Sequence, residues 1–130
     1  MSERAARLTF GLAGIYGLIV LTPFFFLEAR IAAATPGGLT HVEYYYGFLG
    51  AASVMQLVYL TIARDPVRLR PLMPLCALAK LAFFLPVLIL WAQGRVPAAV
   101  LEFASIDALL AAAFVHAWRV TPAVFPNRSP

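Results

Sequence analysis

Charge is the scarcest property of this sequence. Among 130 residues only ten are Lys or Arg and six are Asp or Glu, 12% of the chain. So few charges cannot coat a soluble domain. Cys76 is the single cysteine, which excludes an intrachain disulfide and leaves the redox compartment unread. Its apolar neighbours make it a small packing residue. No zinc-ligand spacing, nucleophile elbow or glycine-rich phosphate loop is present, so no catalytic residue, metal ligand or cofactor is assigned. Basic residues interleaved with aromatics in a recognition module are also missing, which excludes nucleic acid as a partner.

What is present is apolar. Hydrophobic residues make up 62% of the chain and mean hydropathy is +0.84. A soluble protein of this size lacks the interior to hide that surface. At about 20 residues per crossing, the length suits four membrane helices and no second domain. The expected fold is therefore all-α, a single four-helix transmembrane bundle over residues 1–130. Its spans are read at about 8–27, 42–62, 72–91 and 97–118, with a flexible cytoplasmic tail over 121–130. Arg4 and Arg7 before an apolar run imitate a signal peptide, but the uncharged stretch Leu8 to Leu27 is 20 residues, long enough to span, and reads as a retained helix. Tyr44, Tyr45 and Tyr46 form an aromatic belt at the start of the second span. Pro23 and Pro86 should kink their helices, and Pro97 suits a helix start.

Arginine placement orients the bundle. Arg4, Arg7, Arg64, Arg68, Arg70, Arg119 and Arg128 fall on one side, and Arg30 and Arg95 on the other. The positive-inside rule then puts both termini in the cytoplasm, N-in and C-in. The isoelectric point of 9.7 follows from this topology. Arg64, Arg68 and Arg70 are placed to touch anionic lipid headgroups. Small residues mark helix contacts: Gly11, Gly14 and Gly17 in the first span, and Gly47, Gly50, Ala51 and Ser53 in the second. His41 and His116 fall at opposite ends of the membrane and cannot share a haem or metal.

Two charges lie deep inside the spans. Lys80 and Asp107 each cost about 2.5–3.5 kcal/mol to insert. The third span has enough large apolar residues to carry one lysine. The fourth bears both Glu102 and Asp107, and its apolar gain of about 4 kcal/mol roughly cancels the acids. It needs a partner, and Lys80 is the only intramembrane cation. At 1.5 Å per residue, Lys80 lies about 12 Å and Asp107 about 17 Å from the cytoplasmic boundary, a gap that a lysine stem covers by snorkelling. A Lys80–Asp107 pair is therefore expected, either as a device setting helix register or as a ligand or proton site. Glu43 and Glu102 could face one cavity if their helices adjoin, although Glu43 also suits a helix N-terminus. Gln56, deep in the second span, completes the polar set, as a hydrogen-bonding residue of the bundle or part of a site.

Several strings carry a resemblance: Gly14-Ile15-Tyr16-Gly17, His41-Val42-Glu43-Tyr44-Tyr45-Tyr46-Gly47-Phe48, Ala63-Arg64-Asp65-Pro66-Val67-Arg68, Arg70-Pro71-Leu72-Met73 and Gly94-Arg95-Val96-Pro97. Over most of residues 8–120 the chain resembles small uncharacterised four-span bacterial integral membrane proteins, DoxX-like in layout. That resemblance implies a four-helix bundle in the bacterial inner membrane, multi-pass, and carries no activity.

Three functions compete. The preferred one is a non-catalytic binding or accessory subunit of a larger membrane assembly, given short connections and no catalytic motif. The alternative is a small enzyme or carrier that binds a lipophilic molecule at a mid-membrane site of Lys80, Asp107, Glu43, Glu102 and Gln56. A proton-coupled exporter built from dimers would expect an isolated membrane acid and fits less well. Expected partners are membrane lipids, a membrane-protein subunit or a lipophilic ligand. An enclosed cavity reaching Lys80 and Asp107 would favour the alternative; a pair sealed with no cavity would count against it.

Overall fold

Runs of Leu, Ala, Ile, Val and Phe, with most of the ten prolines at or near their ends, leave this chain little choice but helix. A computed structural model describes residues 2–124 and consists of helices joined by short connections, with no strand among the described residues. The helices are α1 (Ser2–Leu21), α2 (Glu28–Ala34), α3 (Val42–Arg64), α4 (Met73–Ala92) and α5 (Ala98–Val120). Four apolar segments are long enough to cross a membrane: Glu3–Phe26, Val42–Arg64, Arg70–Ala92 and Ala98–Val120. This is a helical bundle of a multi-pass membrane protein.

The last three spans match the expected boundaries within about two residues. The first differs at both ends. Its helix begins at Ser2 rather than Leu8, since nothing in Glu3, Arg4 or Ala5 opposes helix. It stops at Leu21 because Pro23 cannot donate to the carbonyl one turn back, and the chain tightens into a 3₁₀ turn over Thr22–Phe26. The connection after it, between the first two spans, also holds the short helix α2. Glu28 begins α2 and Ala32, Ala33 and Ala34 continue it. Two tyrosines of α3 pin this region: Tyr45 donates to the Phe24 carbonyl at 2.6 Å and Tyr46 to Glu28 Oε2 at 2.7 Å. Pro86 is accommodated within α4, which stays helical from Met73 to Ala92.

At the end of α4, Gly94 adopts φ +71° and closes the helix. Its N–H reaches the Trp91 carbonyl and the Arg95 N–H reaches Leu90, both at 2.9 Å, a Schellman closure that turns the chain directly into α5. Thr121 is buried and its hydroxyl donates to the Ala117 carbonyl at 2.7 Å, so the tail starts tied to α5 rather than free. The rest of the tail from residue 125, Arg128 included, lies outside the described residues.

The bundle is two helical hairpins side by side. α1 packs along α3, α4 packs along α5, and α1 also packs on α5, while α3 and α4 barely touch. Three aromatics from three helices form the centre. Phe10 and Phe114 stack with centroids 4.3 Å apart, and Tyr59 tilts against Phe114 at 4.9 Å. Cys76 is buried in the same cluster, a packing residue.

At one end of the bundle, arginines close the helices. Arg7 donates to the carbonyls of Ala63 and Arg64 at the end of α3, at 3.1 and 2.6 Å. Arg70 donates from Nε to the carbonyls of Trp118 and Thr121 at the end of α5, at 3.1 and 2.8 Å, with its guanidinium 5.1 Å from the Trp118 ring centroid. A cation there satisfies orphan carbonyls and opposes the negative end of the helix dipole. Arg70→Gln should therefore cost about 1–2 kcal/mol and speed amide exchange over the last turn of α5. Unchanged exchange between Phe114 and Val120 would show that the contact stabilises nothing.

Candidate functional site

The sparse contact between α3 and α4 leaves a cavity of about 180 Å³ on their seam. Sequence spacing explains its walls. On α3, Ala52, Gln56 and Tyr59 recur at intervals of four and three residues and share one face, with Phe48 one turn above. From α4 come Ala79, Lys80 and Phe83, and from α5 comes Asp107. The small alanines at 51, 52 and 79 leave the recess open, and Phe48 and Phe83 meet across the seam with centroids 5.3 Å apart.

Lys80 Nζ donates to Asp107 Oδ1 at 2.8 Å, with side chains only 12% and 22% exposed. The ammonium also sits 5.6 Å from the Tyr59 ring centroid, where the ring face attracts a cation. Gln56 is buried and its Nε2 donates to the Ala52 carbonyl at 2.9 Å. Its Oε1 occupies the space a side chain at position 17 would take, facing the bare Cα of Gly17 on α1. Among the described residues, no fully buried side-chain N or O is left without a hydrogen-bond partner. Asp107 Oδ2 makes no hydrogen bond there and keeps some open surface, while Tyr59, almost fully buried, also lines the cavity.

The five polar residues read from sequence thus divide. Lys80, Asp107 and Gln56 come together on the cavity, and Glu43 and Glu102 do not join them. The reason is helical geometry. Glu43 precedes Gln56 by 13 positions, about 220° around α3 and about 20 Å along it. Glu102 is five positions from Asp107, about 140° away around α5. Glu43 is exposed in the first turn of α3, with His41 Nδ1 3.0 Å from its Oε1, and Glu102 is exposed near the start of α5. No shared acid cavity forms. Glu28 is held by Tyr46, and no group of His, Cys, Asp and Glu among the described residues could hold a metal ion. His116 is exposed near the end of α5, far from His41 in chain and fold.

The glycine stripes divide as well. Gly14 and Gly17 of α1 are close-approach points: a Cβ at Gly14 would lie 2.8 Å from Leu60 Cγ, and one at Gly17 would fall on the Gln56 side chain. Gly47 and Gly50 of α3 meet nothing within 4 Å. Tyr59 is the residue that sequence reasoning missed. Its spacing of three from Gln56 was the available signal.

Compared with protein-family models, curated proteins and solved structures, the chain matches none. The arrangement must be judged on its chemistry. A neutralised ion pair, a phenol and an amide stand at one end of an apolar, aromatic-walled recess. Such a recess accepts an apolar body and offers both donors and acceptors to a polar group.

Proposed function

We propose that this membrane protein binds a lipophilic molecule near mid-bilayer, in the α3–α4 cavity, with Lys80 and Asp107 holding the molecule's polar end. The observation that carries the reading is the cavity itself, which reaches both members of the ion pair. A pair serving only to fix helix register would gain from being closed over, because its oxygens and protons need partners in a dry interior. Here one carboxylate oxygen lacks a partner on a cavity wall. Ionisable groups within a membrane are costly enough to mark sites as a rule.

A second reading is an accessory subunit of a larger membrane assembly. The bare surface at Gly47 and Gly50 favours it, since close helix approach in lipid uses small residues. In either case the bacterial inner membrane is the proposed location, with both termini in the cytoplasm. Support comes from the arginines: among the described residues Arg4, Arg7, Arg64, Arg68, Arg70 and Arg119 gather at one end of the bundle, and only Arg30 and Arg95 at the other. The DoxX-like layout agrees with that placement.

Native mass spectrometry on protein gently extracted from its own membrane tests the choice. The expected result is a retained small lipophilic mass that disappears in the double variant Lys80→Met/Asp107→Leu. A protein companion in fixed ratio, kept equally by that variant and with no small mass, would replace the first reading with the second.

A further inference from the structure

Resting on the ligand-binding reading, we propose that the molecule held on the α3–α4 seam is an uncharged lipid with a hydroxyl headgroup, and that it arrives sideways from the bilayer rather than from water.

The headgroup follows from charge and hydrogen-bond counting. Lys80 and Asp107 already cancel one another at 2.8 Å. A carboxylate or phosphate added beside them would stand as a second anion near Asp107 with one cation to share. An ammonium would repeat the problem beside Lys80. Unpaired charge in an apolar site is heavily disfavoured, so the pair rejects a charged headgroup despite its own charges. A hydrocarbon with no polar group is also a poor fit, because it would leave Oδ2 and the remaining Lys80 protons facing carbon. The ammonium has three donors, one of them given to Oδ1. A hydroxyl can accept one of the others and donate its own proton to Oδ2. Tyr59 lines the same cavity from the α3 side, with its ring 5.6 Å from the ammonium.

The route follows from packing. α3 and α4 are the long neighbouring helices that barely touch, so the seam between them is the natural breach in the bundle wall. The aromatic trio Phe10, Tyr59 and Phe114 blocks the way from the arginine-rich end. Phe48, 45% exposed, rests against Phe83 across the seam and is the side chain placed to swing aside. An alkyl tail can then lie between the helices and continue into lipid, at no cost in exposed apolar surface.

The test uses the full chain in lipid nanodiscs with three photoactivatable C16 probes of matched tail: an alcohol, an amine and a carboxylic acid, at a pH near 8.5 where the last two are largely charged. The expected result is that the alcohol labels α3 and α4 about tenfold more than either charged probe, because each charged probe leaves one unpaired charge in an apolar site. Ala51→Phe, which plugs the mouth from an exposed position and leaves the ion pair intact, should abolish alcohol labelling. Equal labelling by all three probes, or preference for a charged one, overturns the headgroup assignment while leaving lipophile binding in place. Seam labelling that survives Ala51→Phe overturns the sideways route. No seam labelling by any probe removes the binding reading as well.

Discussion

Removing one member of the Lys80–Asp107 pair should cost the bundle about 3 kcal/mol, and removing both should cost much less. Lys80→Met leaves a carboxylate, and Asp107→Leu an ammonium, buried without its partner 2.8 Å away. A charge so stranded is worth several kcal/mol of destabilisation, whether reckoned from broken buried pairs or from insertion scales. The double variant restores neutrality and adds apolar surface to two helices that face lipid. Reversible unfolding in mixed micelles of rising denaturing-detergent fraction would measure all three. A double variant whose loss equals the sum of the single losses would mean the two side chains are not energetically coupled. The double variant also separates architecture from function, since it should remain folded while losing its ligand.

Gly14→Leu should be comparably damaging, at about 2–3 kcal/mol, for a different reason. A Cβ there would stand 2.8 Å from Leu60 Cγ and 3.0 Å from the Gln56 carbonyl oxygen. The leucine can rotate away but the backbone oxygen cannot, so α1 must separate from α3 and the contact that lipid leaves to close packing is lost. Gly50→Ala, on α3 but with nothing within 4 Å of the new atom, should instead gain about 0.5–1 kcal/mol from a stiffer unfolded chain. The same unfolding assay distinguishes the two. A neutral Gly14→Leu would show that the α1–α3 contact is loose. A destabilised Gly50→Ala would show that something packs on that face.

These variants also mark where sequence reading succeeds. Spans could be placed because hydropathy is a local property, and three of them lie within about two residues of expectation. The Lys80–Asp107 contact was legible because a connection as short as Gln93–Pro97 forces α4 and α5 together and Lys80 is the single intramembrane cation. Glu43 and Glu102 were grouped with it as further acids of the spans, although Glu43 lies about 20 Å along α3 from Gln56. Their angles around α3 and α5, readable from 3.6 residues per turn, set them apart. Tyr59 was hidden for the opposite reason: a tyrosine among apolar neighbours reads as packing, which it also is. The cavity could not be inferred at all. It depends on how far α3 and α4 stand apart, which involves the packing of both on α1 and α5 as well as residues of the seam. Gly11, Gly14 and Gly17 looked like Gly47 and Gly50 in sequence, and only the neighbours distinguish the two sets.

The ion pair belongs wholly to the α4–α5 hairpin, and this bears on how the protein is born. As the ribosome delivers α5, Asp107 finds Lys80 in the arm made just before it, across a connection of a few residues. A last helix too acidic to leave the translocation channel alone can thus depart into lipid with its partner, as one electrically neutral unit. The first hairpin carries no such burden and can wait in the bilayer. The α1–α5 contact then joins the two hairpins, and the α3–α4 seam is where they stay apart.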